Sequence, residues 1–321
     1  MNEIDAVSPQ FYESYKDISD FLADFGPYNG RYVANYPANW EKQFLDQLSD
    51  LSTMEQKKAK ELLKRNKYDG IQAALIDRNL KFDDSISWIK NVEILQTKKT
   101  FNDVVAGTYD ENTTFKKWPE KLQDFRENRL RSAHLKGSAS EYIAIIEPLL
   151  KKGPVAYFID PHFRPNDDPS IDFIKRLFEK ISNSSCYDIV FYIRKDKALA
   201  KVADGKDCYT EVEYKDKLIE IFHGSQCIPR NMSLTINLVE NFSENKVKED
   251  ANLHNRLHNR FFLTLYGAID FGMGFKPQSY KTALIPVYLV DKRQHLELVN
   301  WFISEKFNFK SRLPITIKSN R

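Results

Sequence analysis

Apolar residues recur along this chain in a pattern that changes near residue 136. Before that point they recur every three to four positions, which is typical of amphipathic helices. The clearest stripe, followed by a helix-ending Gly26-Pro27, consists of Phe11, Tyr15, Ile18, Phe21 or Leu22, and Phe25. We interpret this stripe as the core face of a helix. The pattern predicts a mainly helical N-terminal region over residues 1–135.

After Lys136-Gly137-Ser138, where a glycine precedes a potential capping serine, helical and strand patterns alternate. The predicted helices cover residues 140–150, 171–181, 218–222 and 293–307, and the predicted strands cover Val155–Ile159, 188–193, 234–239 and 283–290. Residues 194–197 are predicted to form a charged loop, and the basic tail from Lys310 to be frayed. This alternation predicts an α/β domain over residues 136–321.

Composition limits the classes of protein that fit. The chain has 321 residues, a 42% apolar share and a net charge of only +3, so any surface for nucleic acid must be local. The densest basic run, Lys57 to Lys67, fits either a solvated helix face or a patch for a polyanion.

Cysteine spacing and hydropathy add two exclusions. Cys186, Cys208 and Cys227 have no metal-ligand spacing, and we interpret them as reduced thiols. No apolar run approaches the roughly 18 residues of a transmembrane helix. We therefore expect a cytoplasmic protein without a structural metal or a cofactor motif.

A polar loop follows the first strand of the α/β domain. The stretch 164–169 holds Pro, Asn and Asp residues that favour turns. In open α/β sheets, ligands bind at the carboxyl ends of strands. We therefore expect Asp160, His162 and Arg164 to lie at the mouth of a site.

A second polar stretch lies much later in the chain. Two His-Asn-Arg triplets, His254 to Arg256 and His258 to Arg260, precede the apolar run Phe261-Phe262-Leu263, and Gly272 and Gly274 follow. A strand that starts after Arg260 has imidazole and guanidinium donors directly before its first residue. Such donors suit phosphate.

The spacing of this stretch resembles a known family. His258, Arg260 and Gly272 keep the frame of the phospholipase D superfamily motif, His-x-Lys-x4-Asp-x6-Gly-Ser-x-Asn. In that family the histidine is the nucleophile and the lysine holds the phosphoryl oxygens. Three positions differ in this chain, which has Leu265, Met273 and Phe275 there.

The upstream strand that ends in Asp160-Pro161 extends this resemblance over residues 138–305. The order of the two motifs is similar to that of the phospholipase D-like C-terminal domain of MIT-domain proteins. It is also similar to bacterial phospholipase D-like proteins found among anti-phage defence genes. The resemblance implies a phospholipase D-like domain preceded by the helical region. The implied site has catalytic His258 and Arg260, the supporting acid Asp160, and phosphate-binding Arg256, His254, His162, Arg164, Gly272 and Gly274.

Three functions fit this interpretation. The first is a defence protein that binds a phosphodiester backbone or another phosphate-bearing ligand. In the second, two copies form a metal-independent nuclease or phospholipase through His258, because the chain has one copy of a motif that enzymes of the family use twice. The third is a non-catalytic subunit that docks a protein partner through its helical region.

Overall fold

The computed structural model describes residues 2–64, 71–107, 114–118, 120–127, 132–165, 167–182, 185–199, 209–224, 227–239, 259–272, 275, 284–304 and 314–319. The chain divides into two compact units, residues 1–131 and 132–321. Each unit has helices and its own β-sheet. The protein is therefore of the mixed α/β class.

The first unit contains a parallel sheet that the hydrophobic pattern did not predict. Its strands are β1 (Glu3–Val7), β2 (Arg31–Ala34), β3 (Leu75–Ile76) and β4 (Val104–Val105), in the order β3-β2-β1-β4. All three strand pairs are parallel. β3 and β4 have only two residues each, and β1 and β2 show no alternation of buried and exposed positions, so the helical stripes around them dominated the pattern.

Helices make up most of the regular structure of this unit. They are α1 (Tyr15–Asp24), α2 (Trp40–Asp46), α3 (Thr53–Lys64), α4 (Ile71–Ala74), α5 (Trp88–Gln96) and α6 (Glu120–Glu127), with a 3-10 turn at Gln47–Asp50. The apolar face of α1 is buried as predicted at Ile18 and Phe21, both 0% exposed. Phe11 is also 0% exposed but lies before the helix, so its predicted place in this helix was wrong. The side chain of Ser87 caps α5 by accepting from the Lys90 amide.

The second unit contains an eight-stranded mixed sheet. Its strands are β5 (Ser132–Leu135), β6 (Val155–Ile159), β7 (Asp188–Arg194), β8 (Ser233–Val239), β9 (Phe261–Leu263), β10 (Ala268–Asp270), β11 (Ile285–Leu289) and β12 (Ile315–Lys318). The order is β12-β8-β7-β6-β9-β10-β11-β5. Strands β6, β7 and β8 run parallel, and the other neighbours are antiparallel.

The longer predicted strands of this unit are confirmed, and so is the three-residue strand β9 predicted after Arg260, whereas β5, β10 and β12 were missed. Strands β5, β10 and β12 have three or four residues each. The prediction of a frayed tail was wrong for Ile315–Lys318, because β12 pairs with β8 through four residues. Edge strands are held by a neighbour far away in the chain, so local pattern says little about them.

Helices of the second unit follow the predicted alternation. They are α7 (Ala139–Leu150), α8 (Asp168–Ile181), α9 (Lys195–Ala198), α10 (Glu211–Gly224) and α11 (Lys292–Leu298), which continues as a π-helical turn over Val299–Ile303. The predicted loop at 194–197 was wrong, because α9 begins directly after β7. Ser138 caps α7 with a reciprocal bond to Glu141, which is a capping box.

Strand register brings distant residues to one edge of this sheet. Ile159 at the end of β6 lies opposite Phe261 at the start of β9. Phe261 in turn lies opposite Asp270 at the end of β10. The residues that follow β6, precede β9 and end β10 therefore share the carboxyl edge of β6.

Candidate functional site

Arg260 and Asp160 meet at this edge. Nε of Arg260 lies 3.5 Å from Oδ1 of Asp160, and Nη1 of Arg260 donates to the carbonyl of Gly272 at 2.9 Å. The Asp160 side chain is 8% exposed and that of Arg260 is 22% exposed. The structure thus brings together three of the residues named from the two sequence motifs, with the cation at the more open position.

The turn after β10 aims the carbonyl that Arg260 uses. Gly272 has a φ of +46°, a left-handed conformation that favours glycine. Its amide donates to Oδ1 of Asp270 at 2.8 Å, and the amide of Phe271 donates to the Arg260 carbonyl at 2.8 Å. The Gly272 amide is therefore used within the turn, and its carbonyl orients the guanidinium.

Burial shapes the electrostatics of the pair. Removal from water raises the pKa of Asp160, while the His162 amide, which donates to Oδ1 at 3.0 Å, and the charge of Arg260 act in the opposite direction. Burial disfavours the charged carboxylate. Arg260 is the more exposed partner of the pair, so its guanidinium is the group that an incoming anion meets first.

The loop after β6 is braced by two helices. Nη2 of Arg164 donates to the carbonyl of Lys197 in α9 at 3.0 Å, and the hydroxyl of Tyr214 in α10 donates to the Phe163 carbonyl at 3.3 Å. His162 is exposed. Arg164 thus stabilises the loop that holds Asp160 in place, and His162 is the member of this loop that is open to solvent.

Four of the residues named from sequence, His254, Arg256, His258 and Gly274, lie outside the described residues. The described chain resumes at Asn259, directly before Arg260. For the other named positions the structure gives the contacts above.

Sequence reasoning missed two residues at this edge. Tyr142 of α7 is 0% exposed, and its ring stacks on Phe271 with centroids 5.3 Å apart. Arg194 at the end of β7 is 5% exposed and forms a two-pronged ion pair with Asp196 at 3.0 and 2.6 Å. Tyr142 gave no signal because it lies in an ordinary apolar stripe, and Arg194 because it lies in a charged run.

The first unit also has an edge where ligands bind in many open sheets. Its strand order reverses between β1 and β4, and ligands prefer the carboxyl side of such a switch point. Here side chains fill this position: the indole of Trp40 donates to the Val7 carbonyl at 2.5 Å, and Phe11 stacks on Phe44 with centroids 5.9 Å apart. Asp17 occupies the start of α1 by accepting the Ser14 amide at 3.0 Å. The packing therefore favours the second unit as the location of the site.

A group of charged residues lies at the other end of this smaller sheet. Asp5 of β1 is 0% exposed, and neither of its carboxylate oxygens has a hydrogen-bond partner among the residues that the structure describes. Burial, with Glu3 and Asp103 nearby, raises its pKa to about 8, while Arg31 and Lys121 act in the opposite direction. Lys121 also forms ion pairs with Asp103 and Asp124. We interpret this group as part of the folded core, because it lies on the amino side of the strands.

The basic run of α3 is exposed where it is described. Lys57, Lys58 and Lys60 face solvent, and Nζ of Lys58 lies 5.9 Å from the Tyr15 ring centroid. The part of the run from Arg65 to Lys67 lies outside the described residues. Its role stays a prediction.

Comparison with known proteins gives no family for this chain: no protein-family model, curated protein or solved structure matches it. In the described part of the chain, no helix is both long and apolar enough to cross a membrane. Nor do the described residues bring three or more His, Cys, Asp or Glu side chains into an arrangement that could hold a metal ion.

Proposed function

We propose that this chain is a phospholipase D-like protein that binds a phosphodiester backbone or another phosphate-bearing ligand at Arg260. The supporting observation is that two motifs, far apart in sequence, meet in the sheet. β6, which ends directly before Asp160, pairs with β9, which begins directly after Arg260. The side chains of Asp160 and Arg260 are in contact.

The chemistry of Arg260 suits this ligand. A guanidinium is always charged and presents a planar set of donors that matches phosphate oxygens. Nε faces Asp160 and Nη1 faces Gly272, so the side chain is held in one orientation before any ligand arrives. Preorganised donors cost less ordering entropy on binding.

The alternative to a binding role is catalysis at the same site. Through the resemblance, His258 is the nucleophile, and a second copy of the chain or a partner supplies the group that protonates the leaving oxygen. On the same basis we place the protein in a bacterial anti-phage defence system. Both the catalytic and the binding role require Arg260, so binding and cleavage have to be measured separately.

The test measures binding and cleavage of labelled single- and double-stranded DNA and RNA in the presence of a chelator. We expect Arg260→Gln to weaken binding about tenfold or more, since a hydrogen bond to a charged group contributes roughly 1.5–3 kcal/mol. The matched control is Arg176→Gln, which removes an exposed arginine of α8 paired with Asp172. Unchanged binding by Arg260→Gln at low salt would contradict the proposal.

His258→Ala divides the two roles in the same assay. Cleavage by wild type that this variant loses identifies a metal-independent phosphodiesterase. Binding without cleavage in both proteins identifies a binding module. If wild type neither binds nor cleaves, the remaining function is that of an interaction subunit, and the phosphate site is rejected.

A further inference from the structure

The edge that holds Arg260 contains a second donor, the hydroxyl of Tyr142. This side chain is 0% exposed, and its hydroxyl has no hydrogen-bond partner among the described residues. A buried polar group without a partner costs free energy, so folded proteins rarely keep one unless it has a use. The hydroxyl is thus an unexplained feature of the core.

Packing places the Tyr142 ring beside the turn that Arg260 contacts. The Tyr142 ring stacks on Phe271 with an interplanar angle of 25°, and Phe271 lies in the turn whose Gly272 carbonyl accepts from Arg260. Burial raises the pKa of Tyr142 to about 12, and the charge of Arg260 acts to lower it. Tyr142 and Arg260 therefore border the same turn at residues 271–272.

One donor atom of Arg260, Nη2, is also available to a ligand. Its Nε and Nη1 contact Asp160 and Gly272, whereas Nη2 has no acceptor within the described ranges. Arg260 thus offers a charged donor, and Tyr142 offers a neutral one. An oxyanion with two oxygens satisfies both, and Arg260, at 22% exposed, is where such a group enters from solvent.

We infer that Tyr142 is a second ligand-binding residue of this site and donates its hydroxyl to a phosphate oxygen held by Arg260. The inference rests on the proposed function and extends it from one donor to two. It assigns a use to a side chain that the two sequence motifs do not include. The ligand class is a phosphate oxyanion, either a free monoester-like phosphate or a diester in a strand.

Two probes separate these sources. Inorganic phosphate represents the free group, and a thymidine dinucleotide without terminal phosphate represents the diester. Each is titrated by calorimetry into wild type, Tyr142→Phe, Arg260→Gln and the control Tyr12→Phe, all in the full chain. Tyr12 is a fair control because its hydroxyl already donates to the Phe44 carbonyl at 3.0 Å.

We expect Tyr142→Phe to bind the preferred probe roughly three- to tenfold more weakly, as the loss of one neutral hydrogen bond implies. The same variant should unfold at a higher temperature than wild type without ligand, because it removes an unpartnered buried hydroxyl. Tyr12→Phe should show the reverse, with lower thermal stability and unchanged affinity. A substitution that lowers affinity and raises thermal stability identifies a binding residue. One that lowers stability and leaves affinity unchanged identifies a packing residue.

The outcomes separate this inference from the function on which it rests. If Arg260→Gln loses binding and Tyr142→Phe keeps wild-type affinity, the inference is overturned and the proposed function stands. If wild type binds neither probe, both are overturned. As a second readout, 3-fluorotyrosine at position 142 should give a fluorine resonance that shifts on addition of the probe, with position 12 as control. A resonance at 142 that does not move when the probe binds would also overturn the inference.

Discussion

At the scale of single residues, three buried polar side chains have different explanations. Asp160 is buried but contacts the His162 amide and Arg260. Tyr142 is buried, and its ring stacks on Phe271 in the turn that Arg260 contacts. Asp5 has charged neighbours but no hydrogen bond to either oxygen in the described part of the chain. Only the first two lie at the edge where the two motifs meet.

Asp5 gives a prediction about pH. Its pKa is raised from 3.8 to about 8 in the folded protein, so between these values the folded state keeps a proton that the unfolded state has lost. Stability from this group is full below about pH 4 and falls as pH rises toward 8, with a slope of up to about 1.4 kcal/mol per pH unit.

The measurement is the free energy of unfolding in urea from pH 5 to pH 9. We expect Asp5→Asn to flatten the decline, because the amide does not ionise. The exposed Asp46→Asn serves as control and should follow wild type. A wild-type stability that rises over this range would show that Asp5 is already ionised in the folded protein.

At the scale of elements, the caps and turns that hold the carboxyl edge of β6 are formed by residues close together in sequence. They can therefore be recognised from the sequence. Ser138 accepts from the Glu141 amide at 3.3 Å, and the Glu141 carboxylate accepts from the Ser138 amide at 3.0 Å. This capping box starts α7, the helix that carries Tyr142. The start of the helix therefore sets where the Tyr142 ring meets Phe271.

Loss of this cap should destabilise the protein modestly. Replacing a capping serine by alanine typically costs about 1 kcal/mol, so Ser138→Ala should lower the urea midpoint measured by circular dichroism. Ser304→Ala, at an exposed position directly after the π-helical turn, is the control and should leave the midpoint unchanged. A midpoint for Ser138→Ala equal to that of the control would mean that α7 is held by packing alone.

At the scale of the whole molecule, the two units each have a sheet and a buried core. The first is centred on aromatic residues that include Phe11, Phe21 and Trp40. The second includes a cluster around Tyr192, Phe261 and Trp301. A unit with its own core can fold by itself in principle. The candidate site draws its described residues from the second unit alone.

Separate expression tests this division. We expect residues 132–321 to fold alone and unfold cooperatively, with Trp301, 6% exposed in the full chain, emitting as a buried indole. It is the one tryptophan of that segment, since the others are Trp40, Trp88 and Trp118. Emission typical of a solvated indole before urea is added would show that the second unit needs the first.

Local sequence by itself determined the longer elements of this protein. The continuous apolar run of β6 is a buried strand wherever it packs, and the stripe of α1 has a helical period that needs no partner to be recognised. The position of Asp160 after a strand and of Arg260 before one follows from the same local patterns. So does the capping box at Ser138.

Only the tertiary structure decided which of these residues meet. The contact between Asp160 and Arg260 depends on the pairing of β6 with β9, and the aim of the guanidinium depends on β10 and the turn at Gly272. Strands of two to four residues, such as β3, β4 and β10, carry no readable period. β3 and β4 pair with strands far along the chain, and β10 pairs with both the preceding β9 and the later β11, so pairing and register come from the packed sheet and not from local pattern.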